Sequence, residues 1–432
     1  MQTVWYVLGA LVFFALIMLS IALHEIGHLI PAKLFKVKVT EYFVGFGKTL
    51  WKRRVGSTDY GVKALPLGGY VRLVGMYPPA PGETRVKASG SNFFQQIAED
   101  ARAYEWEEIT PEDDGTLFYQ KPVWQRLIIM AGGVTMNLLL AFLLFLGVTA
   151  IAGVARPTLT VASVSECVIP ASRTDQTCQP GDPRTPAAAM GVQAGDVIVS
   201  FNGRRPADWD QLSTMIRDNL SAPATLVVER GGQTLSLPTA PTVTTGVASR
   251  VDPGHNVEAG FLGVSPKVEV QRGGPVAVLK DMWTMTEQSA YALVSFPVNV
   301  WHTAVGLVTG QPRDIYGPVS VVGASRVAGE VVTTNQLSSA NKVAVVAQLL
   351  GSVNLFVALF NIVPLPPLDG GHVAGALWDG LRRVAARLRS RATPPPFDTT
   401  KLLPLSWAVT AFVVVAGLVL VVADLVAPVR LF

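Results

Sequence analysis

Near the start of this 432-residue chain, His24-Glu25-Ile26-Gly27-His28 sets two imidazoles and a carboxylate at a spacing that binds and uses a metal. On a helix, positions four apart share a face, so both imidazoles can reach one Zn²⁺, while Glu25 can hold and deprotonate a water there. The group closes an apolar run, Val4 to Leu23, of the length a bilayer core requires. Ionisable residues are costly at that depth, which disfavours an accidental match. The competing reading is a set of polar groups that only end a membrane helix at the water interface.

Two histidines leave a catalytic zinc short of its usual three protein ligands. In Asn361-Ile362-Val363-Pro364-Leu365-Pro366-Pro367-Leu368-Asp369-Gly370-Gly371-His372, three prolines and two glycines interrupt another apolar run. The interruption leaves Asp369 on irregular backbone that needs a cavity around it. Asp369 is the candidate third ligand, and His372 its competitor, with a supporting or loop role as the alternative for His372. Charge favours the carboxylate. Zn²⁺ with two neutral histidines, ionised Asp369 and ionised Glu25 sums to zero, whereas three histidines and one glutamate leave a positive charge at bilayer depth.

The elements that must position these groups are apolar. Half of the residues are hydrophobic, 15% are charged and the mean hydropathy is +0.37, which excludes an ordinary soluble enzyme. Four runs can span, Val4 to Leu23, Leu127 to Ala150, Val343 to Val363 and Leu405 to Val422, placing both termini on one side. The first has an uncharged start and no small-residue cleavage site before the motif, so it reads as a retained span rather than a signal peptide. Lys33, Lys36, Lys38, Lys48, Lys52, Arg53 and Arg54 follow the first run, and Arg382, Arg383, Arg387, Arg389 and Arg391 follow the third. Both loops are therefore cytoplasmic, with the termini and residues 155 to 340 outside. These basic loops account for the net charge of +4, and no nucleic-acid partner is expected.

Tyr42 to Gly47 and Asp59 to Val74 read as a glycine-pinned β-hairpin, either at the surface or dipping into the membrane where protein covers its backbone. Residues 97 to 114 read as an acidic solvated connector. Within Pro157 to Pro241, three strand patterns and an amphipathic helix at Asp208 to Asn219 indicate a small soluble domain. It ends at the Pro/Thr-rich Pro238 to Thr245. Pro275 to Thr309 is aromatic enough to suggest interfacial helices, His302 among them. Arg382 to Pro396 reads as a basic loop. Cys167 and Cys178 are the only cysteines. They fall in the external segment, as a disulfide stabilising a short loop by about 2 to 3 kcal/mol or as two free thiols. A membrane-embedded peptide bond is hidden by its own helix. The Gly61 to Val74 edge, with Gly68 and Gly69, and the amides of Asn137 and Asn361 are candidate partners for the unwound backbone. For the asparagines, interhelical hydrogen bonding is the alternative.

Together these residues resemble the site-2 protease family of intramembrane zinc metalloproteases, most closely its bacterial RseP-type members with a PDZ domain. The matching parts are HEIGH, Gly45-Phe46-Gly47, Pro66-Leu67-Gly68-Gly69-Tyr70-Val71, Lys121-Pro122-Val123-Trp124-Gln125-Arg126, Ala131-Gly132-Gly133 with Asn137, and Asn361-x-x-Pro364-x-x-x-Leu368-Asp369-Gly370. The resemblance implies a protease that cuts transmembrane helices of single-span proteins in regulated intramembrane proteolysis. Typical substrates are anti-sigma factors already trimmed by a site-1 protease. It also implies one Zn²⁺ per chain on His24, His28 and Asp369, Glu25 as the base, and Asn361 as a substrate contact. Residues 186 to 203 look like a bacterial PDZ core that would filter bulky external domains. Three features depart from the family pattern: one PDZ-like unit instead of two, Gly133 where a proline is usual, and an insertion bearing Cys167 and Cys178.

The expected fold is a polytopic α-helical membrane protein with four transmembrane helices, a membrane-associated β-hairpin and an extracytoplasmic PDZ-like α+β domain. The expected order is 1–32 first span, 33–122 cytoplasmic hairpin and connector, 123–152 second span, 155–245 PDZ domain, 246–342 interfacial helices, 343–375 third span, 376–402 basic loop and 403–432 fourth span. The expected location is a bacterial cytoplasmic membrane. A PDZ-bearing scaffold or chaperone without activity and a transporter are the alternatives; the intact Glu25 and a third ligand candidate argue against the first, and the absence of an inverted repeat against the second.

Overall fold

A computed structural model describes residues 2–78, 109–169, 173, 177–249, 256–311 and 313–429. It divides into two compact units, one made of 1–147 with 278–432 and the other of 148–277.

In the first unit, α1 (Gln2–Leu34) carries the apolar run through the HEIGH motif without a break. At 1.5 Å per residue its 33 residues exceed what a bilayer core of about 30 Å requires, so the motif lies on the helix rather than after it. The chain then forms β1 (Val39–Val55) and β2 (Thr58–Leu73), joined through Gly56, whose φ of 63° suits glycine. Residues 49–55 pair with 58–63, while 41–44 pair with both 59–62 and 69–72. The expected hairpin is therefore a small curled sheet, bent where Gly45 and Gly47 take positive φ. Of the acidic connector, residues 97–108 lie outside the described residues. At its end, Asp113 pairs with Lys38 at 2.8 Å, which ties the connector to the start of β1.

Helix α2 (Val123–Gly147) packs on α1 through Leu29, Ala32, Ile129 and Met130. Among the described residues, five helices are long and apolar enough to cross a membrane, within Gln2–Leu34, Val123–Ala152, Pro275–Thr309, Ser339–Ile362 and Thr399–Val426. The count exceeds the expected four because residues 275–309, with their aromatic and charged interruptions, form one unbroken helix. A second difference follows Asp369. Residues 369–388 are helical rather than a loop from 376 onward, because Leu377, Leu381, Val384 and Leu388 recur at helical spacing between the arginines.

The second unit is an α+β body. Strands β3 (Val154–Val164), β4 (Val197–Phe201), β5 (Leu226–Arg230) and β6 (Gln233–Ser236) join β9 (Val264–Gln271) in a sheet of order β9-β3-β4-β5-β6. Two short helices, α3 (Pro186–Met190) and α4 (Trp209–Asp218), are capped by Thr185 and Asp208. Their Ala187, Met190, Leu212 and Ile216 pack on Val161, Ile198, Phe201, Leu226 and Val228. A separate hairpin, β7 (Val243–Ala248) with β8 (Asn256–Phe261), follows. The unit runs to residue 277 rather than stopping near 245, because β9 returns to pair with β3 from Val264↔Val164 to Gln271↔Val154. Cys167 and Cys178 are joined in a disulfide here.

The remaining helices are α5 (Pro275–Thr309), in the first unit from residue 278 onward, and, wholly within that unit, α6 (Val321–Thr333), α7 (Ser339–Ile362), α8 (Asp369–Leu388) and α9 (Leu403–Val426). Small residues let α6 lie close to α1: a Cβ on Gly329 would fall 2.7 Å from the Tyr6 carbonyl oxygen.

Candidate metal centre

The centre begins with a helix crossing that only glycines permit. A Cβ on Gly27 of α1 would lie 2.4 Å from the Gly132 carbonyl oxygen of α2, and one on Gly132 would lie 2.0 Å from the Gly27 carbonyl oxygen. The two backbones therefore touch, and α2 is carried against the buried face of α1 that holds His24 and His28. At this crossing His28 Nδ1 is 2.8 Å from the carbonyl oxygen of Ile129. A carbonyl only accepts, so Nδ1 carries the proton and Nε2 keeps its lone pair for a metal.

The third group arrives from α7. Past Ile362 the chain turns through Pro364, Pro366 and Pro367 and restarts as α8 at Asp369. Gly370 and Gly371 make that reversal possible: a Cβ on Gly370 would sit 2.3 Å from the carbonyl oxygens of Ile362 and Val363, and one on Gly371 2.6 Å from the Pro366 nitrogen. Asp369 thus occupies the first turn of a helix, where the helix dipole favours a carboxylate.

His24, His28 and Asp369 converge into a group able to hold a metal ion. Asp369 Oδ2 lies 3.3 Å from His24 Nε2 and 3.2 Å from His28 Nε2, and the two Nε2 atoms are 3.3 Å apart. A triangle of that size is one face of a tetrahedron whose centre lies about 2.0 Å from each corner, the bond length zinc makes to imidazole and carboxylate. The donor set of two imidazoles and one carboxylate is that of catalytic zinc rather than of a closed structural site.

Glu25 lies beside this triangle, close enough to interact electrostatically with His24, His28 and Asp369, and its carboxylate accepts a hydrogen bond from the Val71 backbone. The curled sheet reaches it because position 69 has no side chain: a Cβ there would lie 3.1 Å from Glu25 Cγ. Gly68, with φ 154°, packs instead on the Phe46 ring.

His372 is not among the three converging groups. It lines a separate cavity of about 20 Å³ with Arg126, Ala376 and Asp379. Asn137 is buried on α2, one turn beyond Gly133, and its Oδ1 has no partner among the described residues. Asn361 is half-buried near the end of α7. His302 is exposed on α5.

Three features escape the sequence reading. Gly133 underlies both histidines: a Cβ would fall 2.3 Å from His28 Nε2 and 2.6 Å from His24 Nε2. Asn354 of α7 donates to Ser20 Oγ of α1 at 3.1 Å; a polar residue inside an apolar run is the sequence signal for such a bond. Arg126 pairs with Asp379 at 2.9 Å, both side chains buried.

The chain is similar to known metalloproteases. The profile of Peptidase family M50 matches residues 12–393. The zinc metalloprotease Rip1 of Mycobacterium tuberculosis is 30% identical over 99% of both chains. Rip1 of Mycolicibacterium smegmatis is 31% identical over 98% of this chain and 99% of its own length. The metalloprotease MmpA of Caulobacter vibrioides is 25% identical over 86% of each. The chain belongs to peptidase family M50. It is a zinc metalloprotease with several helices apolar enough for a multi-pass membrane protein.

Proposed function

We propose that this protease cleaves peptide bonds inside the transmembrane segments of single-span membrane proteins, with anti-sigma factors already trimmed outside by another protease as the substrate class. The observation that carries the reading is the convergence of His24 and His28, on an apolar helix, with Asp369, just past the break that ends another. Such a cluster is of use chiefly to a substrate that is itself in the membrane.

In this reading His24, His28 and Asp369 hold Zn²⁺. When bound, the ion supplies Lewis acidity to a water and to the scissile carbonyl. Glu25 accepts the water's proton and returns it to the leaving amine, while the Val71 N–H fixes its carboxylate. A helical substrate must unwind to expose the bond. The edge at residues 68–71 then offers backbone groups for strand addition, and Asn137 and Asn361 offer amides for the freed N–H and C=O groups.

Four spans, α1, α2, α7 and α9, accommodate this chemistry in a bacterial cytoplasmic membrane, with both termini and the 148–277 unit outside. The basic residues after α1 and within α8 support that orientation. Helix α5 is read as starting and ending on one side of the membrane, with Phe296 and Val300 packed against Phe412, Ala416 and Leu420 of α9. It starts where Val278 and Met282 pack near Phe145 at the C-terminal end of α2. The chain after it is held at the C-terminal end of α9 by the pairing of Arg313 with Asp424. In a four-span arrangement those two ends share a side, so α5 returns to the side it left. The 148–277 unit serves as the PDZ-like filter against bulky external domains.

The test is a purified, zinc-loaded chain in vesicles with a single-span reporter trimmed or untrimmed on its outer side. Cleavage within the span, restricted to the trimmed reporter and lowered by about a hundredfold or more in Glu25→Gln, is the expected result. Cleavage only in extramembrane loops would overturn the reading.

A further inference from the structure

The part of α8 leading away from Asp369 presents a surface that the metal centre does not use. Leu377, Trp378, Leu381, Val384 and Leu388 are all exposed, from 49% to 82%. At about 100° per residue they gather into one stripe along the helix. The opposite side is packed, with Ala376 and Asp379 buried. The same helical arithmetic sets Arg382 and Arg389 along one border of the stripe and Arg383 and Arg387 along the other, with Arg391 just past the helix end. Among the described residues, Arg383, Arg387, Arg389 and Arg391 make no ion pair or side-chain hydrogen bond.

This pattern separates three environments. A helix surrounded by lipid is apolar all round, and the arginines forbid that. A helix in water does not leave five large apolar side chains, a tryptophan among them, on one uncovered face. A helix lying in the headgroup layer has an apolar stripe bordered by cations. We propose that residues 377–391 form a docking surface for the anionic phospholipids of the leaflet they face, the stripe inserted among acyl chains and the arginines set on phosphates. The occupant is fixed by charge complementarity: among the described residues, three arginines without ion-pair partners border the apolar face and a fourth follows it, and the neighbouring helices are themselves apolar enough to lie in a bilayer.

The surface has a consequence for the centre. Helix α8 is 20 residues long without interruption, and Asp369 is its first residue. Its middle is clamped by the Arg126–Asp379 pair. Lipid held at its far end therefore fixes the axis that carries Asp369.

The experiment uses the whole chain. The described residues hold no free cysteine, and the chain's two cysteines are joined to each other, so Leu381→Cys and, separately, Leu388→Cys each accept a single spin label. The labelled protein is placed in vesicles of phosphatidylcholine alone or mixed with phosphatidylglycerol, and label depth is read from oxygen and nickel-chelate accessibility. The expected result is a label about 5–10 Å below the headgroup boundary in the anionic vesicles, moving outward in neutral ones or in high salt. Combining Arg383→Gln, Arg387→Gln and Arg389→Gln should weaken the anionic preference on the order of a hundredfold, at about fivefold per arginine. A label in water in anionic vesicles overturns the proposal. Burial that is the same in neutral vesicles and in detergent also overturns it, and assigns the stripe to a protein cover. Both readouts are independent of proteolysis, so a failure of the substrate reading leaves them intact.

Discussion

Gly133 of α2 lies directly under His28 of α1, so near that a single methyl group on its Cα would come within 2.3 Å of His28 Nε2. The same methyl would be 2.6 Å from His24 Nε2. The atoms it would strike are the two metal-facing nitrogens, and His28 cannot retreat without breaking its bond to the Ile129 carbonyl. Gly133→Ala should therefore weaken zinc binding while leaving the helices formed. Metal content of the purified variant, read with far-UV circular dichroism, checks this. A variant with full zinc and normal turnover would show that the two helices can part without cost.

Glu25 is not one of the three converging groups, yet it borders all of them and is held by the Val71 backbone. Glu25→Gln keeps the shape and removes the proton acceptor. Zinc content should remain near one per chain, while cleavage falls by about 10²–10⁴-fold, the range that general acid–base catalysis contributes. Asp369→Ala should instead lose both zinc and activity. Chelation of the native protein should match Asp369→Ala, and added Zn²⁺ should restore only the chelated native protein.

The buried Arg126–Asp379 pair anchors α8 to the base of α2, and Asp379 also accepts from the Phe397 backbone N–H at 2.6 Å. Asp379→Ala leaves a buried guanidinium without its counter-charge, which costs about 3–5 kcal/mol. Replacing both partners by apolar residues, as in Arg126→Met with Asp379→Leu, should recover most of that stability. Thermal unfolding in detergent, compared across the single and double variants, measures the difference.

How much of this is legible in the chain depends on the range of the interaction. The shared face of His24 and His28 follows from helical period alone, and the break that carries Asp369 follows from its prolines and glycines. Gly133 shows only that something small is needed; which side chains lie over it depends on how α1 crosses α2. The continuation of the second unit to residue 277 rests on β9 pairing with β3, two strands far apart in sequence. Helix α8 is a different case. Its leucines carry the helical period, but the arginines and the prolines at 394–396 carry the composition of a loop, so the local pattern alone points both ways. The fifth long helix likewise shows that aromatic and charged interruptions do not end a helix when no partner strand or cap competes for its backbone.

In the 148–277 unit, Asp196 is buried and gripped by Arg230, whose Nε and Nη2 donate to its two oxygens at 2.7 and 2.8 Å. The Gln193 backbone N–H adds a third bond at 2.8 Å. The Arg230 hydrogen bonds lower the Asp196 pKa most, outweighing the upward push of burial. A carboxyl whose folded pKa lies below its unfolded one binds fewer protons when folded. Its contribution to stability is therefore complete above the ordinary aspartate value of about 3.9 and disappears as pH falls through the lower folded value. The unit should keep its protection against hydrogen exchange from neutral pH down to about that value and lose it below. Arg230→Gln should move the acid transition upward in pH, and Asp196→Asn should flatten it while lowering protection at neutral pH. Hydrogen exchange followed by mass spectrometry on the full chain resolves residues 197–201 and 226–230 from the apolar helices. An acid transition in those strands that is unchanged by Arg230→Gln would place the titrating group elsewhere.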